Sequence, residues 1–297
     1  MATAAVERAQ APVVIEEGLA PKIMRVLGKA PIHLLLVLVA LLWLIPTLGL
    51  FITSILAPDD QSSAGWWNFL FEPSKWTFQN YSNMFDNEGI VDALLITTWV
   101  TLGATILPIV VASLAAYALA WIEFPGRDWV FLGVVGLLIV PIQMALIPMF
   151  RLYNTASLFD TIPGLILFHS AFALPFAIFL LRNFFAGIPR DLMEAARIDG
   201  ASEIRLFFKV VLPLGLPAIA SLAIFQVLFV WNDLLIGITL ASDNTPIAPT
   251  IAQQLRQFGT NLDVLAPASF FSAIIPLTIF AMFQRYFVQG LLAGSVK

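Results

Sequence analysis

Long uncharged runs alternate with short charged stretches along this chain, and that alternation predicts its architecture. Runs at 33–56, 93–122, 129–150, 161–181, 210–232 (with an apolar continuation to 240) and 264–284 are nearly free of charge. Each meets the requirement of about 20 apolar residues for a membrane-spanning helix. The second is the longest. At about 1.5 Å per residue it exceeds a bilayer core of about 30 Å, so it must tilt or project from one face. Six spans place both termini on one side. Prolines sit inside or near the end of every run, at Pro46, Pro108, Pro141, Pro175, Pro217 and Pro276. Each removes a backbone donor and favours a kink. Bends in all six runs predict a bundle curved around a path. The expected fold class is therefore an all-α membrane protein of six transmembrane helices.

Charge gives this arrangement a direction. With the N-terminus inside, segments 1–32, 122–128, 182–215 and 285–297 hold 12 Lys or Arg, whereas 57–90, 151–163 and 241–265 hold only Lys75, Arg151 and Arg256. The positive-inside rule then predicts cytoplasmic termini. The outward loop 57–90 is acidic and carries Trp66, Trp67 and Trp76. Composition agrees: 60% of the residues are hydrophobic, 11% are charged and the mean hydropathy is +0.90, against about 25% charged in a soluble domain. Residues 1–32 lack an apolar core before His33 and are expected to form a cytoplasmic tail rather than a cleaved leader. Residues 289–297 are expected to form a second cytoplasmic tail. The chain has no cysteine, which excludes disulfides and thiolate chemistry.

One charged segment, Pro189–Pro213, lies between apolar runs of spanning length and reads as two short helices. Pro189 suits a first helical position, and Asp191 and Glu194 complement the helix dipole. Gly200 falls where a left-handed cap is expected, and Ser202 is placed to cap a second helix ending at Pro213. Leu192, Ala195, Ala196 and Ile198 form a mildly apolar, small-residue face suited to a docking partner.

Candidate chemistry is sparse. There is no phosphate-binding glycine loop ending in Lys-Ser or Lys-Thr. His33 and His169 lack metal-ligand spacing, and His169 reads as a helix–helix hydrogen-bonding group. The neighbours His169 and Ser170 cannot face each other on one helix, so an intramembrane hydrolase is disfavoured. Asp233 is the only acid within an apolar stretch, which leaves an ion-coupled carrier few sites. Asn232 and Asp233 read equally as an interfacial anchor or as part of a polar substrate path. No inverted repeat of the kind found in many secondary transporters is evident.

The string Glu194-Ala195-Ala196-Arg197-Ile198-Asp199-Gly200-Ala201, followed by Leu212-Pro213, resembles the EAA loop of ABC-importer membrane subunits. Phe124-Pro125-Gly126-Arg127, Trp231-Asn232-Asp233 and the ending Gly290–Lys297 are similar to the maltose-type, MalG-like branch of carbohydrate-importer permeases. The resemblance covers the chain from about residue 30 onward and implies the type I importer permease fold. It also implies a permease domain over 33–288 whose cytoplasmic coupling loop, 185–215, sits in a cleft of a separate ATPase. By the same resemblance the chain is a non-catalytic subunit of a bacterial inner-membrane sugar importer. Its implied partners are a second permease, two ATPase subunits and an extracytoplasmic sugar-binding protein, with no nucleic acid. It would bind no cofactor itself, ATP and Mg residing on the ATPases. The motifs do not specify the solute, and a polyamine, amino acid or glycerol phosphate stays open beside an oligosaccharide. A sugar path needs hydrogen-bonding groups and aromatic faces, for which Gln143, Gln226, Phe229, Asn232 and Asp233 are the candidates.

Overall fold

The computed structural model describes residues 19–61, 65–257 and 261–293, with side chains described for 31–61, 65–255 and 261–284. Two units divide the chain, 1–49 and 50–297. The first contains most of helix α1 (Leu19–Ser54). Its apolar portion runs from Pro31 to Ser54, but helix begins at Leu19, within the segment expected to be a tail. Loss of polarity marks where a chain enters lipid, whereas Lys22, Met24, Arg25 and Leu27, all before that boundary, are good helix formers. The rest of the expected N-terminal tail, 1–18, lies outside the described residues.

The second unit holds the remaining elements. The loop 57–90 is folded rather than extended: α2 (Pro58–Gln61), two short 3₁₀ turns and α3 (Gln79–Asp86). Asn80 is buried there and donates to the carbonyls of Ser54 and Leu56 at 3.0 and 2.6 Å. Next come α4 (Glu88–Trp121), α5 (Arg127–Leu137), α6 (Ile142–Thr155), α7 (Ile162–Ala186), α8 (Arg190–Ile198) and α9 (Glu203–Leu206). A π-helical turn, Phe207–Val211, leads into α10 (Leu212–Trp231). The chain closes with α11 (Leu235–Leu240), α12 (Ile247–Gln257) and α13 (Leu262–Ala293). Helix thus continues through 289–293, where a tail was expected, and 294–297 fall outside the described residues.

Among the described residues, five helices are long and apolar enough to cross a membrane, or six if the bent pair α5–α6 counts as one span. That pair corrects the expectation of a continuous third span at 129–150. Its two halves meet at 95°. Pro141 forces the preceding residue out of the helical region and starts a new helix at Ile142, so the proline breaks the run instead of kinking it.

Helices α4 and α7 run parallel. Val100 and Ala104 meet Leu165 and Phe168 in one buried cluster, while Ala112, Ala116 and Tyr117 meet Ala177, Leu181 and Phe185 in another. Helix α10 runs the opposite way, with Ala218 and Leu222 in the second cluster and Val230 in the first. Close approach of α10 to α7 depends on Gly215, where a β-carbon would stand 2.5 Å from the Phe185 ring. The C-terminal ends of α4 and α7 therefore share one end of the bundle with α8 and α9.

Candidate functional site: a docking loop and an aromatic cavity

Helix α8 is strongly two-sided. Met193 is fully buried and Ala196 packs against the same core, while Leu192, Ala195 and Ile198 face outward, Ile198 at 86% exposure. Ala196 thus belongs to the inner side and not to the docking face expected for it, because i, i+3 spacing from Met193 places it inward. Ile204 on α9 adds a further apolar side chain at 73% exposure. Beneath the loop, Leu206, Phe207 and Val211 join Met193 in the core with Leu181, Phe185 and Ile188. The result is a rigidly seated knob with an apolar cap.

Local chemistry explains its shape. Gly200 has φ +79°, and its amide and that of Ala201 donate to the Arg197 and Ala196 carbonyls at 3.0 Å, closing α8 with a left-handed residue. Ser202 then starts α9 through a side-chain contact to the Arg205 amide. Two sequence expectations are corrected. Pro189 precedes the first helical residue, extended at ψ 133°, as the proline-bounded turn after Gly187 requires. Helix also does not end at Pro213. Pro213 lies just after the π-turn that carries α9 into α10 without a break, and such local widening is one way a membrane helix accommodates a residue with no N–H. Leu212 and Pro213 therefore join the loop to a span rather than bounding it.

A polar clamp connects the loop to the bundle. Arg197 donates through Nε to Glu203 at 3.1 Å, and the Tyr117 hydroxyl near the end of α4 donates to the other carboxylate oxygen. The hydrogen bond to Glu203 outweighs partial burial and holds the Arg197 guanidinium above its ordinary value. Trp121 donates its indole N–H to the Phe185 carbonyl at 3.0 Å, tying α4 to α7 at the same end. Glu194, Ala195 and Asp199 stay exposed.

Midway along α7 and α10 lies a cavity of about 380 Å³, lined by Ile142, Phe172, Phe176, Phe225, Gln226 and Phe229 among others. Gln226 is buried and its amide N–H donates to the Ala104 carbonyl at 3.0 Å, which makes it the one polar side chain among the aromatic and aliphatic residues that line the cavity. The structure thus brings together Gln226 and Phe229 of the predicted path residues. Gln143 is exposed and outside the lining, although its neighbour Ile142 is within it. Asn232 turns back to the Leu228 carbonyl at 2.8 Å. Asp233 accepts from the amides of Ile236 and Gly237, both at 3.0 Å, and stands 3.9 Å from His169 Nε2. Its carboxylate is thereby committed to starting α11, while Trp231 donates to the Ser272 carbonyl at 2.9 Å and binds α10 to α13. Sequence reasoning missed Phe172, Phe176 and Phe225. The signal was present, since Phe172/Phe176 and Phe225/Phe229 are i, i+4 pairs that share a helix face.

Long apolar helices packed around shared buried clusters, with a seated helical knob at one end, define an integral membrane protein. The chain belongs to the family of inner membrane components of binding-protein-dependent transport systems, whose model matches residues 109–294. It is 43% identical over 275 residues to the osmoprotective compounds uptake permease protein GgtD of Synechocystis sp., covering 91% of this chain and 92% of that protein. It is 45% identical over 233 residues to the alpha-glucoside transport system permease protein AglG of Rhizobium meliloti, covering 76% of this chain and 61% of AglG. In structure it resembles a chain of a bacterial ABC transporter involved in import of the acidic polysaccharide alginate, with a TM-score of 0.73, 20% identity, and coverage of 91% of this chain and 99% of that one. The fold is that of a type I importer permease.

Proposed function

We propose that the chain is the permease subunit of an ATP-driven, binding-protein-dependent importer of a sugar, most simply an α-glucoside or a related oligosaccharide. The observation that carries this reading is the α8–α9 knob: apolar and uncovered at Leu192, Ala195, Ile198 and Ile204, yet fixed below by a buried core. Such a surface suits a cleft in a separate ATPase. The similarity to permeases named for alpha-glucoside and arabinooligosaccharide transport supports a sugar cargo. The Phe172, Phe176, Phe225 and Phe229 rings with the Gln226 amide offer flat apolar faces and a hydrogen-bonding group, the pairing a sugar ring requires.

In this reading the knob is cytoplasmic, as are both termini, and a second permease completes the path. Closure of two ATPase subunits on ATP and Mg draws α8–α9 with them. The Arg197–Glu203–Tyr117 clamp and the Phe185–Trp121 tie pass that motion to α4 and α7. The chain itself carries out no covalent chemistry and binds no cofactor. The matched relative named for osmoprotective compounds favours a second cargo, a small polar osmolyte.

Reconstitution of the full chain with its companion subunits in proteoliposomes tests this reading. Uptake of labelled α-glucoside should require both ATP and the binding protein, and a labelled osmolyte run in parallel separates the two cargoes. Uptake without nucleotide would overturn it. Because the chain lacks cysteine, Ile198→Cys gives a single thiol, expected to react only with reagent added from the cytoplasmic side.

A further inference from the structure

Outside the docking cap and the aromatic cavity, a third feature is unused. A cavity of about 340 Å³ lies where the ends of α4 and α7, the turn before α5 and the inner edge of α8 converge. Its walls carry four arginines, Arg127, Arg182, Arg190 and Arg197, against two glutamates, Glu123 and Glu194. Arg197 is engaged by Glu203, and Arg127 makes a long contact of 3.4 Å with Asp128. Arg182 and Arg190 form no salt bridge among the described residues. The Arg182 guanidinium lies 4.6 Å from the centre of the Phe131 ring, and its Nε is buried without a hydrogen-bond partner. Among the described residues its one polar side-chain contact is a 3.4 Å approach to the neighbouring Asn183.

A buried guanidinium N–H left unsatisfied is costly, and a fixed fork of donors suits a tetrahedral oxyanion. The surroundings narrow the ligand. Helix α5, which supplies Phe131 beside the cavity, exposes Trp129, Val130 and Leu132 at 77, 52 and 57%. Trp121 lines the cavity itself, at the end of a span. Basic side chains above an exposed apolar strip, at the depth where tryptophan is favoured, match an anionic phospholipid with its headgroup between spans.

We propose that this cavity is a phosphate-group site, taking the headgroup of an anionic lipid and seating it between the coupling helix α8 and the ends of α4 and α7. The position of that headgroup on the cytoplasmic leaflet rests on the orientation proposed above; the binding itself does not. An occupant there would brace Arg190 and Arg197 of the loop against Arg182 of the span, making loop seating sensitive to membrane composition.

The test measures binding, so its outcome is independent of whether the importer moves sugar. The full chain, purified with its companion subunits, is placed in nanodiscs of phosphatidylcholine with or without phosphatidylglycerol, and bound lipid is read by native mass spectrometry. Inorganic phosphate, titrated calorimetrically into the phosphatidylcholine sample, forms the second arm. Phosphatidylglycerol should be retained by the wild-type complex, with affinity falling about tenfold in Arg182→Gln/Arg190→Gln and largely kept in Arg182→Lys/Arg190→Lys. Phosphate binding with the same dependence on the two arginines, without lipid retention, assigns the site to the free anion and also supports it. Neither ligand binding, or binding undiminished in the glutamine variant while the lysine variant stays folded, overturns the proposal. An acidic side chain of a docked subunit filling the cavity would give that same negative result.

Discussion

At the scale of single residues, a carboxylate that looks functional in the sequence can be spent on backbone geometry. Asp233 is the clearest case: an acid in an apolar stretch suggests a substrate path, yet its oxygens take the first amides of α11. Asp160 is the reverse case, unmarked in the sequence and central in the fold. It sits at φ +56°, a region that aspartate tolerates, and its carboxylate accepts from the amides of Ser242, Asp243 and Asn244 at 2.8 to 3.2 Å. Burial pulls its pKa upward, but those three backbone donors outweigh it and hold the group below its ordinary value. A lowered carboxylate contributes stability above the unfolded value near pH 4, and loses it as pH falls through the folded value. Asp160→Asn keeps the left-handed backbone and removes the charge. Hydrogen exchange of the Ser242–Asn244 amides should then accelerate at neutral pH, consistent with roughly 1.5–3 kcal/mol for hydrogen bonds to a charged group. The difference between variant and wild type should shrink as pH falls through the lowered folded-state value of Asp160. Unchanged exchange would mean that the turn is held by its own backbone. No sequence signal could have found Asp160, because its partners lie more than eighty residues away.

Elements were legible where a local rule settled them and obscure where two rules competed. Gly200 and Ser202 were readable as cap and start because each acts on its own neighbours. Pro213 was misread because a proline can end one helix or open the next, and the π-turn at Phe207–Val211 that decides between these follows from burial of Phe207 and Val211 in the core. Pro141 announced a kink but not a right-angled break. The coupling loop supplies a prediction of its own. At φ +79° a β-branched residue is strained by roughly 1–3 kcal/mol, so Gly200→Val should distort the turn between α8 and α9. ATP hydrolysis by the assembled importer should then run without matching uptake, or the ATPase should dissociate. Gly200→Asn, which tolerates this conformation, should preserve most coupling. Equal coupling in both variants would remove the loop from the mechanism. Tyr117→Phe deletes only the hydroxyl that reaches Glu203. The ratio of sugar moved to ATP hydrolysed should fall while the subunits stay assembled, and an unaltered ratio would leave the clamp a static brace.

Over the whole molecule, the two clusters that hold α4, α7 and α10 together sit toward opposite ends of α10, and Leu222 of the knob-side cluster also lines the aromatic cavity. The knob rests on the cluster containing Tyr117, Phe185 and Met193, and the aromatic cavity borders the end of α10 that reaches the other. Helices α7 and α10 run from the knob-side cluster to the cavity wall, so both regions share the same helices. The six-span plan was readable from apolar run length alone, whereas the cavity, built from α6, α7 and α10, needed the parallel pairing of α4 with α7 and the reversed α10, which no local pattern encodes. Gln226 and Phe229 lie outside the knob-side cluster, which allows a discriminating test. Phe229 is half exposed and lines the cavity with Gln226, so Phe229→Leu and Gln226→Leu change the wall and leave the knob intact. Loss of one hydrogen bond of about 0.5–1.5 kcal/mol corresponds to roughly 2- to 12-fold in affinity. Gln226→Leu should thus raise the KM for sugar uptake within that range, with a smaller change for Phe229→Leu. ATP hydrolysis stimulated by the binding protein should stay near wild type in both, since the Arg197–Glu203–Tyr117 contacts from knob to α4 are kept, although Gln226→Leu also removes the hydrogen bond to the Ala104 carbonyl. A loss of stimulated hydrolysis with KM unchanged would instead mark this wall as part of the coupling path, and the sugar would have to pass elsewhere along the bundle.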